Sequence, residues 1–402
     1  MNERPRPRLV YVLPRYDPDT GSHFFHLYEL LGRAAVVLDI FVVVEKAGSE
    51  RIGLPFRAYR QRCSWPPLRA LELIAVLTWQ RFAGRRYFYT HYSFYGAIVS
   101  WLVATLFGGR AYYWNAGMPW NYRRPWFAEA VFRFILRHTV LVTGTAGLAR
   151  EYQRRYGVRP ERTRVVPNWV NVARFQPTAS RKESRQRLGI PLAAKVVLFT
   201  HRLSRRKGAH LIPEIAAEVI RLRGEAGLSV DERPARELDA YRPVSLDASA
   251  DSAKRQKDVM FVVVGDGPER QNLESRILNQ GLERYVRIIG EVPHRELPAY
   301  YRVADVLLMP SEEEGFPHVL LESMAAGVPY VASDIGGVRE ITPPALQEYL
   351  VASGDPAPCA EKIIQLLQTA PSERSRISRE LGGWVMQYDL ALVQKKFVQL
   401  FS

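Results

Sequence analysis

Short apolar runs, each closed by a glycine, aspartate or other polar turn and then followed by a helical pattern, recur along this chain. They restrict it to one kind of fold. The first half carries RLVYVLP, LDIFVVVE, RYFYTH, GRAYYWN and TVLVTG, and the second KVVLFTH, VMFVVVGDG, VRIIG, VLLMP and VPYVAS. Runs this short and continuous suit strands buried on both faces, as in a parallel sheet covered by helices on its two sides. The two series meet around PNWVNVARFQPTASRKES. The expectation is an α/β chain of two facing, Rossmann-like, doubly wound domains, residues 1–175 and 176–383, with a cleft between them. Ligands of such folds bind at the carboxyl ends of the strands, so both halves contribute loops to that cleft. A length of 402 residues is long for one core and comfortable for two.

The stretch SEEEGFPHVLLESMAAG, residues 311–327, points to the chemistry. Glu314 lies in a glycine-containing loop and Glu322 follows eight residues later. Pro317 suits the first position of a helix and Gly327 its end. Glu322 then sits about five residues into the helix, roughly 7.5 Å along its axis. One carboxylate faces the space before the helix and the other lies up its side. Helix starts attract phosphate, so a phosphate-linked ligand with hydroxyls at both ends, such as a sugar nucleotide, fits the pattern.

The run from Glu314 to Glu322 resembles the E-x7-E motif of retaining glycosyltransferases of family 4, which have the GT-B architecture. VVPNWVNVARFQP (165–177) is similar to the interdomain segment of that family, and FTHRLSRRKG (199–208) to its diphosphate-gripping loop. VVVGDGPER (262–270), VRIIGEVP (286–293) and SDIGGVREI (333–341) follow in the same order. The match is nearly continuous through the C-terminal half and only in outline before it. The segment 384–402 resembles the helix that crosses back to the first domain in GT-B proteins.

The resemblance implies transfer of a sugar, with retention, from a nucleotide diphosphate donor in the second domain to an acceptor hydroxyl in the first. Glu314 would contact sugar hydroxyls or the departing anomeric region, and Glu322 the ribose. Gly315, Phe316, Pro317, His318 and Val319 between them belong to the same binding set. Arg202 and Lys207 can neutralise a diphosphate, whereas Arg205 and Arg206 read as solvated. Gly336 and Gly337, with Gly21 (beside Thr20 and Ser22) opposite, let backbone N–H groups approach phosphate. Glu340 and the segment 290–292, which ends at Val292, would lie near the base. Gly265 and Gly267 read as turn formers. His91 follows the strand YFYT where the family commonly carries a histidine near the reacting sugar. Asn115 stands where the family often has another, and only one of His23 and His26 would face the cleft.

Asp17-Pro18-Asp19 has the Asp-x-Asp form of a metal motif, but proline and aspartate before a helix are also turn and cap residues. No essential metal and no cofactor are expected. Cys63 and Cys359 stand far apart, without metal spacing, and fit a reducing compartment.

The formal net charge of +15 calls for anionic partners. No nucleic-acid motif accompanies it, and nucleic acid is set aside. Arginine lies beside aromatic residues at Arg81, Arg85, Arg86 and Tyr87, and again at Trp120, Tyr122, Arg123, Arg124 and Trp126. That mixture suits the interface of an anionic membrane. The expectation is a cytoplasmic protein, peripheral on the membrane, acting on a glycan or lipid-linked acceptor in envelope glycan synthesis. The start, MNERPRPRLVYVLP, reads as a polar tail entering a strand, since its apolar run is short for a signal peptide. Residues 87–109 lack charge apart from His91 and divide into a strand and a buried helix. Residues 224–258 read as a flexible insertion. Alternatives on the same plan are a sugar-nucleotide epimerase, a phosphorylase, or a non-catalytic nucleotide- or lipid-binding subunit.

Overall fold

The structure, a computed structural model, describes residues 6–17, 24–47, 56–176, 179–223 and 259–402. Residues 224–258 and Gly21 therefore lie outside the described residues, as do Pro18, Asp19, Thr20, Ser22 and His23.

The first sheet comprises β1 (Arg8–Tyr16), β2 (Asp39–Ala47), β3 (Arg57–Arg60), β4 (Tyr87–His91), β5 (Arg110–Trp114), β6 (Val140–Thr143) and β7 (Thr163–Val165). Its order is β3-β2-β1-β4-β5-β6-β7, and its recorded pairings are parallel. The pleat of β1 divides the core. Leu9, Tyr11 and Leu13 pack toward α1 (Phe24–Ala34), and Val10 and Val12 toward α2 (Pro66–Phe82) and α3 (Phe94–Phe107). α4 (Trp126–His138) and α5 (Ala146–Tyr156) complete the second layer. Ser93 caps α3 by accepting from Gly96 N (2.9 Å), and Thr145 caps α5 by accepting from Leu148 N (3.0 Å). The uncharged stretch after β4 is thus a 14-residue helix. Among the described residues no helix is long and apolar enough to cross a membrane.

The second sheet comprises β8 (Lys195–Thr200), β9 (Val259–Val264), β10 (Val286–Gly290), β11 (Val306–Met309), β12 (Tyr330–Ser333) and β13 (Leu350–Val351). Its order is β10-β9-β8-β11-β12-β13, again with parallel pairings. In each sheet the winding reverses beside the first strand, between β1 and β4 and between β8 and β11. Such reversals leave a crevice at the carboxyl ends.

The chain returns to the first domain after the helix Pro371–Val385. Val170 N donates to Tyr388 O (3.0 Å) and Leu390 N to Val170 O (2.9 Å), which ties the crossing to the interdomain segment. Val393, Phe397 and Phe401 then pack among Tyr11, Tyr89 and Tyr112. Trp384 lies in the last turn of the preceding helix instead of opening the returning one, Leu390–Val398.

Candidate active site

A cleft of about 980 Å³ lies between the two sets of strand ends. Its second-domain floor is the reversal between β8 and β11. The loop after β8 carries His201, Arg202 and Lys207, and the loop after β11 carries Ser311 and Glu314. The loops touch at Gly208, whose φ is +70° and whose absent Cβ makes room for the carbonyl of Pro310.

Three donors converge on one oxygen of the buried Glu314: Lys207 Nζ at 2.6 Å, Ser311 Oγ at 3.0 Å and His201 Nε2 at 3.2 Å. Among the described residues its Oε2 accepts no hydrogen bond. Burial works to raise the Glu314 pKa, but Lys207 and His201 outweigh it and hold the carboxyl far below the ordinary range. Burial first, and then Lys207, lower the His201 pKa. Arg202 N donates to His201 Nδ1 (2.9 Å), so the neutral ring carries its proton on Nε2, toward Glu314. His201 belongs to the site although the sequence reading passed over it; its place beside Arg202 in the diphosphate-like loop was the available signal.

The exposed guanidinium of Arg202 lines the cleft and, among the described residues, makes no ion pair or hydrogen bond. Arg206 also lines the cleft and is not simply solvated. Its Nη1 donates to Tyr122 OH (3.2 Å), which in turn donates to Glu313 (2.5 Å), linking the two domains.

Glu322 is the fifth residue of the helix His318–Ala325, which begins after Pro317; the proline occupies the cap, one place before its expected position. Its carboxylate is fully engaged by protein. Oε1 accepts from His26 Nε2 (2.9 Å) and His294 Nε2 (2.8 Å), and Oε2 from Tyr301 OH (2.8 Å). Burial opposes ionisation, yet the two imidazoles hold its pKa well below the usual value. His26 itself is lowered by burial, against the opposing pull of Glu322. The ribose contact expected of Glu322 is therefore occupied by side chains here. His26 stacks on His318 with ring centroids 4.1 Å apart, and His318 Nδ1 donates to Trp169 O (3.1 Å).

His26, His294 and Glu322 bring ligand atoms within 4.8 Å of one another. Among the described residues both buried Nδ1 atoms lack a partner, whereas a metal-bound imidazole normally donates its other N–H to an acceptor. The arrangement fits two Nε2–H donors on a carboxylate better than three metal ligands.

Gly315, Phe316, Pro317, His318, Val319 and Val292 all line the cleft. Gly265 and Gly267 line it too, where turns bring them onto the backbone of His201 and Leu203. Gly336 and Gly337 do not. They pack on the carbonyls of Glu314 and Gly315, where a side chain would collide, so they support the glutamate loop. Glu340 does not line the cleft either. Its oxygens accept from Ala146 N (2.8 Å) and Gly147 N (2.7 Å), at the start of α5 in the other domain.

His91, expected beside the reacting sugar, is placed in the first core. Its Nδ1 meets Tyr11 OH at 3.0 Å and its ring stacks on Trp114 at 4.2 Å. Trp114 and Tyr92, the latter at φ 59°, take the cleft face instead. Asn115 lines the cleft, with Oδ1 accepting from Gly117 N (2.9 Å). Arg15 and Asp17 lie at its first-domain edge. Of the basic clusters, Arg85 is buried on Asp39 (2.7 Å), and Arg124, half-buried at the cleft, is paired with Glu129 (2.9 Å).

Residues 243–380 match the family model of glycosyl transferases group 1. A D-inositol 3-phosphate glycosyltransferase of Corynebacterium urealyticum is 30% identical over 265 residues, 65% of this chain and 56% of that protein. One from Kineococcus radiotolerans is 34% identical over 199 residues, 50% of this chain and 40% of that protein. The chain thus spans about half the length of the curated relatives it matches. Among solved structures, Anabaena Alr3699/HepE in complex with UDP and glucose aligns at a TM-score of 0.75 and 17% identity, over 98% of this chain and 99% of that one. Sucrose-phosphate synthase from Thermosynechococcus elongatus aligns at 0.75 and 19%, covering 98% of both chains. WaaG, a glycosyltransferase involved in lipopolysaccharide biosynthesis, aligns at 0.70 and 16%, over 98% and 99%. These likenesses show the GT-B fold.

Proposed function

We propose, from the premise that residues 243–380 belong to glycosyl transferases group 1 and that the chain has the GT-B fold, that this protein transfers a sugar from a nucleotide diphosphate donor to an acceptor hydroxyl, with retention. The observation that carries the proposal is Glu314. An ionised carboxylate, clamped through one oxygen and, among the described residues, open at the other, lies at the strand reversal beside Arg202, whose guanidinium has no partner among those residues.

In this reading Arg202 and Lys207 meet the diphosphate, and Oε2 of Glu314 accepts from the sugar. The bond between the anomeric carbon and the diphosphate oxygen breaks while the acceptor oxygen approaches from the same face. The departing phosphate takes the acceptor proton, and the two cations hold the charge it gains. Ribose reaches Glu322 by displacing His26. Of the three donors on Glu322 only His26 comes from the first domain, so domain opening frees one acceptor position on Oε1 and leaves His294 and Tyr301 in place. The charge supplied by Arg202 and Lys207 makes an essential metal unnecessary. A glycan or lipid-linked acceptor, and peripheral contact with an anionic membrane on the cytoplasmic face, belong to the same reading and are supported by the net charge of +15.

The test is donor turnover. Structures of HepE with UDP and with UDP-glucose make a uridine diphosphate sugar the first donor to try. Thermal shift with a panel of nucleotide sugars identifies the donor through ligand stabilisation. Transfer should then depend on an acceptor and persist in EDTA. Product formation from donor alone refutes transfer in favour of epimerisation. Loss of activity in EDTA, restored by Mn²⁺ or Mg²⁺, refutes the metal-free assignment and returns Asp17 to consideration.

A further inference from the structure

α2 breaks the usual rule for a surface helix. Its buried side carries Leu73, Leu77 and Gln80. Its outward side should be polar but presents Trp65 (61% exposed, at the cap), Leu68 (49%), Leu71 (62%), Trp79 (66%) and Phe82 (71%), with Ala75 among them. At about 100° per residue these six positions fall within roughly 120° of the helix circumference. The 17-residue helix is about 25 Å long, and at its far end Phe82 meets the exposed Phe107 of α3 at 5.4 Å. The result is one continuous apolar strip along the flank of the first domain.

The charge around the strip selects its occupant. Residues 56–110 contain eight arginines and a single acid, Glu72. That acid is half-buried at the edge of the same arc, and its carboxylate is turned onto β3 and the segment before the helix, accepting from Tyr59 OH (2.8 Å), Arg62 N (2.8 Å) and Cys63 N (3.0 Å). A second copy of the chain would set these arginines against themselves across a two-fold axis. Anionic headgroups complement them, and tryptophan is favoured at that depth.

We propose that the outward face of α2 seats in the headgroup region of an anionic lipid bilayer, with the helix lying along the surface. The contact is interfacial, and it combines apolar insertion with arginine–lipid attraction. The basic clusters read from the sequence supply only part of the attraction, since Arg85 and Arg124 are paired with Asp39 and Glu129.

The test is co-sedimentation of the full chain with vesicles of phosphatidylcholine alone, or mixed in equal parts with phosphatidylglycerol. Wild type should bind the mixed vesicles and leave the neutral ones, with part of the binding surviving high salt. Leu71→Gln/Trp79→Gln should weaken the partition by about ten- to hundredfold, from the loss of two inserted side chains. Its thermal unfolding, and its transfer to a water-soluble acceptor, should match wild type, so docking is judged separately from the transferase reading. Independently of that variant, phosphatidylglycerol with brominated acyl chains should quench the fluorescence component that Trp79→Phe removes. The proposal is overturned if the chain stays in the supernatant, if the double variant binds like wild type, or if Trp79 is not quenched. Self-association without lipid that the double variant abolishes also overturns it, assigning the face to a second copy.

Discussion

Replacing Glu322 by alanine removes the acceptor for three buried donors: His26 Nε2, His294 Nε2 and Tyr301 OH. A buried donor left without a partner costs about 1–3 kcal/mol, so three give roughly 3–9 kcal/mol before any relief. Water entering from the cleft recovers part of this, and about 3–5 kcal/mol is expected, the range for breaking a buried ionic contact. For domains of this size that lowers the Tm by roughly 6–20 °C. Glu322→Gln separates acceptor from charge. Its amide oxygen still takes the two imidazole N–H groups, and its amide N–H can donate to Tyr301. The glutamine variant should therefore lose no more than about 2 kcal/mol. Thermal unfolding without ligand reads the stability, and steady-state kinetics at saturating acceptor read donor binding, with KM rising in both variants and kcat changing less. An alanine variant that unfolds within about 2 °C of wild type would show that the carboxylate does not hold the three donors, and the reasoning would fail.

Glu314→Gln keeps an oxygen for Lys207 but removes negative charge beside the reacting carbon, so kcat should fall by about 10²–10³ with donor KM little changed; a near-normal kcat refutes that role. Arg202→Ala should leave the Tm of the free protein unchanged, because its guanidinium has no partner among the described residues. It should weaken nucleotide diphosphate binding by roughly 10–150-fold, the worth of one charge-assisted hydrogen bond, as titration calorimetry would read. The pKa values of His26, His201 and His210 are all lowered from 6.5, chiefly by burial. Below about pH 6.5 the unfolded chain therefore binds more protons than the folded one, and stability present above that pH should fall on acidification. A flat Tm between roughly pH 7 and pH 5 contradicts the burial of these rings.

Whatever depends on the order of residues within one element was legible in the sequence. The apolar runs gave two parallel sheets because a strand buried on both faces has no room for polar alternation. Glu314 and Glu322 were legible because a loop and the first turns of a helix fix their separation, and Lys207 because its loop follows directly on β8. Contacts between elements were decided by tertiary packing. His26 meets Glu322 across 296 positions, and Glu340 meets Ala146 across 194. No local spacing reports such encounters, so Glu322 read as open to ribose and Glu340 as near the base. His91 ended the expected strand, but the positive φ of Tyr92 and the ring of Trp114 decided which side chains face the cleft. The period of α2 marks an apolar strip without saying whether anything covers it. Covering depends on neighbours distant in the chain, and among the described residues the sheet and α3 occupy only the opposite side of α2.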